Sequence, residues 1–341
     1  MKIDEQYMRR ALSLARNGLF HASPNPMVGA VIVAPDGRII GEGWHRRCGD
    51  AHAEVNAVQS VADADRPLLR QSTIYVTLEP CAHWGRTGPC AQLIIDEGIP
   101  NVVVGTTDPF SKVNGKGISM MRDAGIKVKV GVLENECRSL NCKFFTAHTL
   151  GRPFITLKWA RSADGWLDCR RTPDEPAAEI STPVTRALVH RLRATHDAIL
   201  VGSGTIVLDR PHLNVRHWAG RNPRPVILDR RKRFFSLDYI SLADPIVFTD
   251  DNTLEEKMKF LYSRGITSVL VEGGSKMLHS FIEAGLWDVM REEIAEGLVL
   301  GDEGSAPAPS PGQATMLESV KIDGNIINIY SQNSLVDVKN L

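Results

Sequence analysis

The chain has 341 residues and a mass of 37.6 kDa, which indicates about two domains of ordinary size. A hydrophobic fraction of 43% and a charged fraction of 23% exclude a disordered, collagen-like or low-complexity chain. Forty basic residues balance forty acidic ones, so the zero net charge argues against a protein that binds nucleic acid over a broad surface.

The cysteines and the N-terminal segment bear on location. The first residues are charged and helical in pattern, without the apolar core of a signal peptide. No apolar run approaches the ~20 residues that a membrane helix needs. We therefore expect a cytoplasmic protein without a membrane partner. In that reducing compartment, a patterned pair among the six cysteines indicates metal ligands or catalytic groups rather than a disulfide.

Helix and strand signals alternate through the first half of the chain. We predict helices over residues 4–17, 52–61, 90–97 and 117–123, and strands over 28–33, 38–44, 73–78, 101–106 and 126–132. Repeated strand–helix–strand units indicate an α/β fold with a mainly parallel sheet covered by helices.

A second block of elements starts near residue 152. We predict strands over residues 154–160, 197–202, 225–229, 245–249, 268–271 and 326–330, and helices over 181–194, 253–264 and 276–284. Residues 301–313 are rich in glycine, alanine, serine and proline, which predicts a mobile loop. We place the two domains at residues 1–147 and 152–341.

The strongest chemical signal combines His52 and Glu54 with two cysteines, Cys81 and Cys90, each preceded by proline. Zinc takes imidazole nitrogen and thiolate sulfur in a tetrahedral shell, and a catalytic zinc keeps one position for water. His52, Cys81 and Cys90 would supply three ligands. Glu54 would carry a proton from the water to a leaving amine. This pattern is typical of zinc nucleobase deaminases.

A structural zinc is the alternative interpretation of the same residues. Such a site needs a fourth protein ligand, for which His83 and His45 are the candidates. The other four cysteines have no ligand spacing, and we interpret them as ordinary thiols.

Four motifs of the first half resemble the bifunctional riboflavin-biosynthesis deaminase/reductase family. They read SPNPMVG at 23–29, GWH at 43–45, HAE at 52–54 and EPCAHWGRTGPC at 79–90. Cytidine and tRNA-adenosine deaminases have a short Pro-Cys-x-x-Cys, whereas the long insert between these two cysteines resembles the riboflavin enzymes.

The resemblance implies a cytidine-deaminase-like α/β/α domain in the first half. That domain would use zinc-bound hydroxide to deaminate 2,5-diamino-6-(5-phosphoribosylamino)pyrimidin-4(3H)-one, with Glu54 moving protons. By similarity, the substrate would be held by Asn25, His45, Arg86 and Asp108. Phe110 stands where the family usually has asparagine.

The second half resembles the reductase half of the same family, which is similar to dihydrofolate reductase. The motifs read KWARSADG at 158–165, DAILVGSGT at 197–205, LNVR at 213–216 and VEGG at 271–274. The resemblance implies that NADPH reduces the ribosyl arm to a ribityl arm by hydride transfer to C1′. The implied cofactor contacts are Ala160, Thr205, Asp209, Gly274 and Ser275. The implied substrate contacts are Lys158, Arg193, Leu213, Arg216 and Glu272.

Two other functions fit part of the sequence. One is a zinc deaminase of another nucleobase with a degenerate second domain, and the other is a tRNA-binding zinc module, which the charge balance disfavours. Our expected partner is a phosphorylated pyrimidine, with no nucleic acid and no membrane. We also expect a homo-oligomer, either a dimer or a tetramer.

Overall fold

The structure is a computed structural model that describes residues 3–82, 84, 88–110, 115–236, 242–332 and 336–340. Arg86 and His83, predicted as a substrate contact and a candidate fourth metal ligand, lie outside the described residues. The chain divides into two compact units, Met1–Leu150 and Gly151–Lys339. Within the described ranges, every helix is too short or too polar to span a lipid bilayer.

Unit 1 contains one sheet and the helices that cover it. The strands in its described part are β1 (Gly29–Val33), β2 (Ile39–Trp44), β3 (Thr73–Leu78), β4 (Asn101–Thr106) and β5 (Lys127–Val130). The α-helices in the same part are α1 (Ile3–Ala15), α2 (Ala53–Gln59), α3 (Cys90–Asp96), α4 (Lys116–Asp123), α5 (Glu134–Leu140) and α6 (Cys142–Leu150). Short 3₁₀ helices cover Arg16–Gly18 and Arg66–Gln71.

The strand order in this sheet is β2-β1-β3-β4-β5. β1 runs antiparallel to both of its neighbours, while β3, β4 and β5 pair in parallel, so four of the five strands share one direction. Helices α2, α3 and α4 pack on one face of the sheet, and α1 and α5 pack on the other. The unit is therefore an α/β/α sandwich with apolar cores on both faces of the sheet.

One glycine lets the helix that carries the predicted metal ligand approach the sheet closely. A Cβ atom at Gly43 on β2 would lie 2.3 Å from the carbonyl oxygen of Ala53, the first residue of α2. No side chain fits in that space, so glycine is required for α2 to begin directly over β2. His52 occupies the N-cap position of α2 and is held there by this contact.

Unit 2 contains an eight-stranded sheet and a two-stranded sheet. Its strands in the described part are β6 (Phe154–Ser162), β7 (Trp166–Cys169), β8 (Ala198–Gly202), β9 (Arg224–Leu228), β10 (Ile246–Phe248), β11 (Ser268–Val271), β12 (Val289–Ala295), β13 (Gly304–Pro307), β14 (Thr315–Ile322) and β15 (Asn325–Ser331). The α-helices there are α7 (Pro183–Ala194), α8 (Ser203–Asp209), α9 (Leu254–Ser263) and α10 (Ser275–Glu283). Short 3₁₀ helices cover Phe234–Ser236, Gly301–Glu303 and Val338–Asn340.

The large sheet has the strand order β10-β9-β8-β11-β6-β12-β15-β14. The strands from β10 to β12 pair in parallel, and β15 and β14 complete the sheet in antiparallel register. Threonine hydroxyls cap two of the helices. The Thr182 hydroxyl accepts the backbone N–H of Thr185 at the start of α7, and Thr253 forms a capping box with Glu256 at α9.

The prediction of a mobile loop over residues 301–313 is wrong for part of that range. Gly304–Pro307 forms β13 and pairs with β7 in antiparallel register. A Cβ atom at Gly304 would lie 2.4 Å from the Trp166 ring, so the small residue allows close packing there. Gly304, one of the small residues on which the loop prediction rested, thus allows β13 to pack against Trp166.

Candidate active sites

Three predicted metal ligands meet at one point of unit 1. The Nδ1 atom of His52 lies 3.3 Å from Cys90 Sγ and 3.6 Å from Cys81 Sγ, and the three ligand atoms all lie within 4.8 Å of one another. A tetrahedral zinc with bonds of about 2.0–2.3 Å separates its ligand atoms by roughly 3.5–4 Å. The donor types and their spacing therefore fit zinc.

The ionisation of the two cysteine thiols also favours a bound cation. The pKa of Cys81 is lowered to about 4, because hydrogen bonds from the Cys90 thiol and from His52 favour its thiolate. The pKa of Cys90 is raised, because its thiol proton is hydrogen-bonded to Cys81 and because burial disfavours a second thiolate there. A divalent ion between the two sulfurs removes this repulsion and favours both thiolates.

Glu54 lies one residue into α2, and its carboxyl group is almost completely buried beside the ligands. Burial raises the pKa of Glu54 to about 7, and the Cys81 thiolate adds to the effect. A carboxyl group with a pKa near neutrality can both take a proton and return it. The geometry thus places a proton carrier next to the ligand group without using it as a ligand.

His45 and Asn25 form a second polar pair near the ligands. The Nδ1 atom of His45 lies 3.2 Å from the Ala51 carbonyl oxygen, so it donates there, and Nε2 accepts from the Asn25 amide at 3.1 Å. Burial lowers the pKa of His45, which favours this neutral form. Both ring nitrogens are therefore engaged. The metal-ligating group of the described residues contains His52, Cys81 and Cys90, and His45 does not belong to it.

Asp108 is buried just after β4 and is fixed by its backbone neighbours. Its Oδ1 atom accepts the N–H of Phe110 at 2.8 Å. Its own N–H donates to a carboxylate oxygen of Glu79 at 3.2 Å. Glu79 follows β3 and leads directly to Pro80 and Cys81, which joins Asp108 to the metal-binding segment. The sequence singled out Asp108 but gave Glu79 no role.

In unit 2, a cavity of about 1500 Å³ opens at the carboxyl ends of the parallel strands. Its lining residues lie in or directly after five neighbouring strands, β6, β11, β8, β9 and β10, so the cavity suits an elongated ligand. Ligands of open α/β sheets bind at this edge. The cavity includes all five predicted cofactor residues: Ala160, Thr205, Asp209, Gly274 and Ser275.

Several features of this cavity fit the phosphates of NADPH. Gly274 caps α10 and Ser275 begins it, which leaves backbone N–H groups of that helix available for an anion. Arg230, Arg231 and Arg233 line another part of the cavity, and Arg233 donates to the Ser203 hydroxyl at 2.8 Å. Arginine is well suited to phosphate recognition. These three arginines were not predicted as cavity residues, although they cluster directly after β9 in the sequence.

Lys158, Arg193 and Glu272 form a charged group inside the same cavity. Arg193 holds Glu272 with two hydrogen bonds of 2.8 Å, and a third bond of 3.1 Å reaches the Asn214 carbonyl oxygen. Burial alone would raise the pKa of Glu272, but Arg193 lowers it to about 2. The pKa of Lys158 is lowered, because burial outweighs the attraction of Glu272. Arg193 was predicted to contact the substrate; here it orients a carboxylate and a neighbouring loop.

The loop that contains Leu213 and Arg216 has an unusual backbone. Leu213 has a φ of +51°, and its side chain is buried with Ile206 and Ile227. Arg216 is exposed and donates from its backbone N–H to His190 Nδ1 at 3.0 Å. Within the described part of the chain, Arg216 is not among the residues that line the cavity.

Arg171 was not identified from the sequence, although it organises one wall of the cavity. Its Nε atom donates to Asp168 at 2.6 Å, and its Nη2 atom donates to the predicted cofactor residue Asp209. Burial raises the pKa of Asp209, and Arg171 opposes that shift. The bridge joins the residues after β7 to the end of α8.

Two family models together cover most of the chain. The model described as "Cytidine and deoxycytidylate deaminase zinc-binding region" matches residues 1–106. The model described as "RibD C-terminal domain" matches residues 153–325. The first contains the ligand group and Glu54, and the second contains the cavity of unit 2. The chain is an enzyme that joins a cytidine-deaminase-like domain, with zinc as its cofactor, to a dihydrofolate-reductase-like domain that uses NADPH.

Relatives with both halves are similar over nearly the whole chain. The riboflavin biosynthesis protein RibD of Aquifex aeolicus is 40% identical, covering 89% of this chain and 91% of its own. The Escherichia coli protein of that name is 34% identical, covering 91% of this chain and 92% of its own.

The structure of RibD from Acinetobacter baumannii matches with a TM-score of 0.86 and 32% identity, covering 96% of this chain and 98% of that one. A Thermotoga maritima structure, described as a diaminohydroxyphosphoribosylaminopyrimidine deaminase/5-amino-6-(5-phosphoribosylamino)uracil reductase, matches with a TM-score of 0.84 and 36% identity, with the same coverage. The chain therefore belongs to the RibD family of riboflavin-biosynthesis proteins.

Proposed function

We propose that the enzyme performs two consecutive steps on one phosphorylated pyrimidine. The first is hydrolytic removal of the 2-amino group of 2,5-diamino-6-(5-phosphoribosylamino)pyrimidin-4(3H)-one, in residues 1–147. The second is NADPH-dependent reduction of the ribosyl arm to a ribityl arm, in residues 152–341. The observation that carries the first step is the His52–Cys81–Cys90 ligand group with Glu54 buried beside it.

For the deaminase half, we assign roles to the residues around the ligands. His52, Cys81 and Cys90 would hold a zinc ion, which would supply an activated water. Glu54 takes a proton from that water and returns one to the departing amine, so that ammonia leaves as a neutral molecule. We propose that Asn25 and Asp108 hold the pyrimidine and that neutral His45, which accepts from the Asn25 amide, orients that amide. We also propose that Arg86 binds the substrate phosphate.

For the reductase half, the cofactor contacts proposed are those of Ala160, Thr205, Asp209, Gly274 and Ser275. Hydride from NADPH goes to C1′ of the opened sugar, and a proton is needed on the neighbouring nitrogen. Lys158, whose lowered pKa makes its proton easier to release, is the proposed donor.

The substrate contacts of the reductase half surround this donor. Glu272 and Leu213 are the groups proposed to bind the sugar arm. Arg193 supports both, because it donates to Glu272 and to the carbonyl oxygen of Asn214, the residue after Leu213. Arg216 carries an exposed charge on the same loop and is proposed to meet the substrate phosphate.

The remaining parts of the proposal concern partners and location. We propose a small-molecule enzyme that binds neither nucleic acid nor membrane, because its acidic and basic residues balance. We also propose a cytoplasmic location, which the sequence supports, and a homo-oligomer, either a dimer or a tetramer.

One incubation tests both steps together. The enzyme is mixed with the diaminopyrimidine phosphate and NADPH, and ammonia release and the loss of nicotinamide absorbance are followed in parallel. We expect ammonia to appear first and one NADPH to be consumed for each ammonia released. If the enzyme releases ammonia from cytosine, cytidine or guanine but not from the diaminopyrimidine phosphate, the proposed substrate is wrong.

Zinc content provides a separate prediction. Cys90→Ser removes one of three ligands from a buried site, so we expect about one zinc per chain in the wild type and less than a tenth of that in the variant. The measurement is atomic absorption after gel filtration. Cys48→Ser is the matched control, because Cys48 is exposed and outside the ligand group. Equal zinc loss in both variants would contradict the assignment of Cys90.

Binding of NADPH is expected to protect unit 2 against heat. At a concentration a hundred times the Kd, a ligand adds about 2.7 kcal/mol of stability, which corresponds to roughly 5–10 °C in a unit of this size. Differential scanning calorimetry measures the shift. The Glu54→Gln variant should show the same shift, because Glu54 belongs to the other unit. If saturating NADPH leaves the unfolding temperature of the wild type unchanged, the result argues against a working reductase.

A further inference from the structure

A single buried carboxylate connects the metal-binding segment to the predicted substrate loop. Glu79 is 4% exposed and accepts four backbone N–H groups. One oxygen accepts from Asp108 at 3.2 Å and Gly115 at 2.9 Å. The other accepts from Gly117 at 3.0 Å and Ile118 at 3.3 Å. The carboxylate thereby fixes both the residue that follows β4 and the first turn of α4.

The same segment of chain carries a zinc ligand. Cys81 lies two residues after Glu79, and Pro80 between them contacts the start of α4. A Cβ atom at Gly117 would lie 2.0 Å from the Pro80 carbonyl oxygen, so only glycine permits this contact. The backbone N–H of Glu79 also donates to the Thr106 carbonyl at 3.0 Å, which extends the β3–β4 pairing to the site. Cys81 and Asp108 are consequently held by one rigid connection.

We propose that Glu79 is a positioning residue of the deaminase site, which sets the distance between the zinc ligand Cys81 and the substrate contact Asp108. The inference rests on the proposed function, because it requires Asp108 to bind the pyrimidine substrate. Substrate must meet the metal and Asp108 at once, so a small displacement of Asp108 weakens binding while the ligand group stays intact.

The number of acceptors explains why a carboxylate is needed. Both oxygens of Glu79 are used, each by two N–H groups. A glutamine keeps one oxygen and directs an NH₂ group at the other two donors, so it leaves buried N–H groups without an acceptor. Aspartate keeps both oxygens on a side chain that is one methylene shorter.

The test is a double-mutant cycle on ammonia release. We expect Glu79→Gln to raise KM for the diaminopyrimidine phosphate about tenfold with a smaller change in kcat, and Asp108→Ala to raise KM at least as much. If Glu79 acts through Asp108, the double variant has the KM of Asp108→Ala alone. Glu79→Asp should lie between the wild type and Glu79→Gln.

Three measurements on the same samples separate positioning from folding. Zinc content should stay near the wild-type value, because no ligand is changed. Reduction of the deaminated intermediate with NADPH should be unchanged, since it takes place in the other unit. Glu136→Gln, which changes an exposed glutamate of unit 1, is the matched control and should leave KM unaltered.

Several results would overturn the inference. They include KM increases that multiply in the double variant, or a Glu79→Gln variant that loses zinc and kcat in proportion at unchanged KM. If Asp108→Ala leaves KM unchanged, the Asp108 contact fails and the inference fails with it, while deamination by the wild type still supports the first proposed step. A wild type that releases no ammonia from this compound would defeat the proposed function itself.

Discussion

Replacing Glu54 by glutamine is expected to reduce ammonia release by roughly 10²–10⁴-fold, the range that a general acid–base group contributes. Glutamine has nearly the same size as glutamate and fits the same buried position, but it cannot take up and return a proton. The three ligands His52, Cys81 and Cys90 are unchanged, so zinc content should remain at the wild-type value. The loss should therefore appear in kcat rather than in metal binding.

The bifunctional chain provides an internal control for this variant. Supplied with the deaminated intermediate and NADPH, Glu54→Gln should oxidise NADPH at the wild-type rate. Glu97→Gln, at the C-cap of α3 in the same unit, should retain deamination because Glu97 lies at the far end of that helix from Cys90. Ammonia release by Glu54→Gln at the wild-type rate would show that another group carries the proton.

The ligand group could be predicted because each ligand has a local signal. His52 precedes α2 and Cys90 begins α3, at helix starts that the sequence marks clearly. The short strands before them end at one edge of the sheet, which brings the side chains together. The structure adds what spacing could not give, namely that His45 uses both ring nitrogens elsewhere and so does not complete a four-ligand structural site.

The supporting residues could not be predicted, because their partners are distant in the chain. Glu79 meets backbone groups 29 to 39 residues away, and Arg171 meets Asp209 across 38 residues. Nothing in the identity of a glutamate or an arginine tells which of many donors or acceptors it will reach. Arg193 shows the same limit, since its ion pair with Glu272, 79 residues away, could not be predicted from the sequence.

The elements of the fold also divide into those with a local sequence signal, which could be predicted, and those that depend on distant partners. Strands β3, β4 and β11 have the predicted bounds, because apolar runs between turn residues define buried strands. Helices α5 and α6 and strands β12 and β14 were not predicted. The strand β14 is mostly exposed and lacks a continuous apolar run, and β13 becomes a strand only through pairing with β7. Elements that depend on tertiary contacts leave a weak local pattern.

The second large effect is expected from Arg193→Met, which should destabilise unit 2 by about 3–5 kcal/mol and abolish NADPH-dependent reduction. The substitution leaves the carboxylate of Glu272 enclosed without its partner, since the side chains of both residues are 13% exposed. It also removes the hydrogen bond to Asn214 that holds the neighbouring loop. Calorimetry of the full chain measures the stability, and deamination in unit 1 should continue at temperatures where both units stay folded.

The pH dependence of this stability has a definite sign. The pKa of Glu272 is lowered from 4.5 to about 2 in the folded wild type, so the ionised pair stabilises the fold above pH 4.5, and this contribution is lost as the pH falls towards 2. In Arg193→Met, the main group that opposes the effect of burial is gone and only the weaker effects of Lys158 and His190 remain, so the pKa of Glu272 rises. The difference in stability between variant and wild type should consequently shrink as the pH falls from 7 to about 5, because the variant neutralises its carboxylate by binding a proton.

A second substitution tells whether the unpaired charge causes this loss. Adding Glu272→Gln to Arg193→Met removes that charge and should recover part of the stability without restoring reduction. Arg186→Met, on the same helix, is the matched control. Arg186 lies 3.9 Å from Glu179, whose side chain is 90% exposed, and such a surface pair contributes at most about 1 kcal/mol. Equal destabilisation by Arg186→Met and Arg193→Met would mean that α7 tolerates no methionine, and that the ion pair with Glu272 is not the cause.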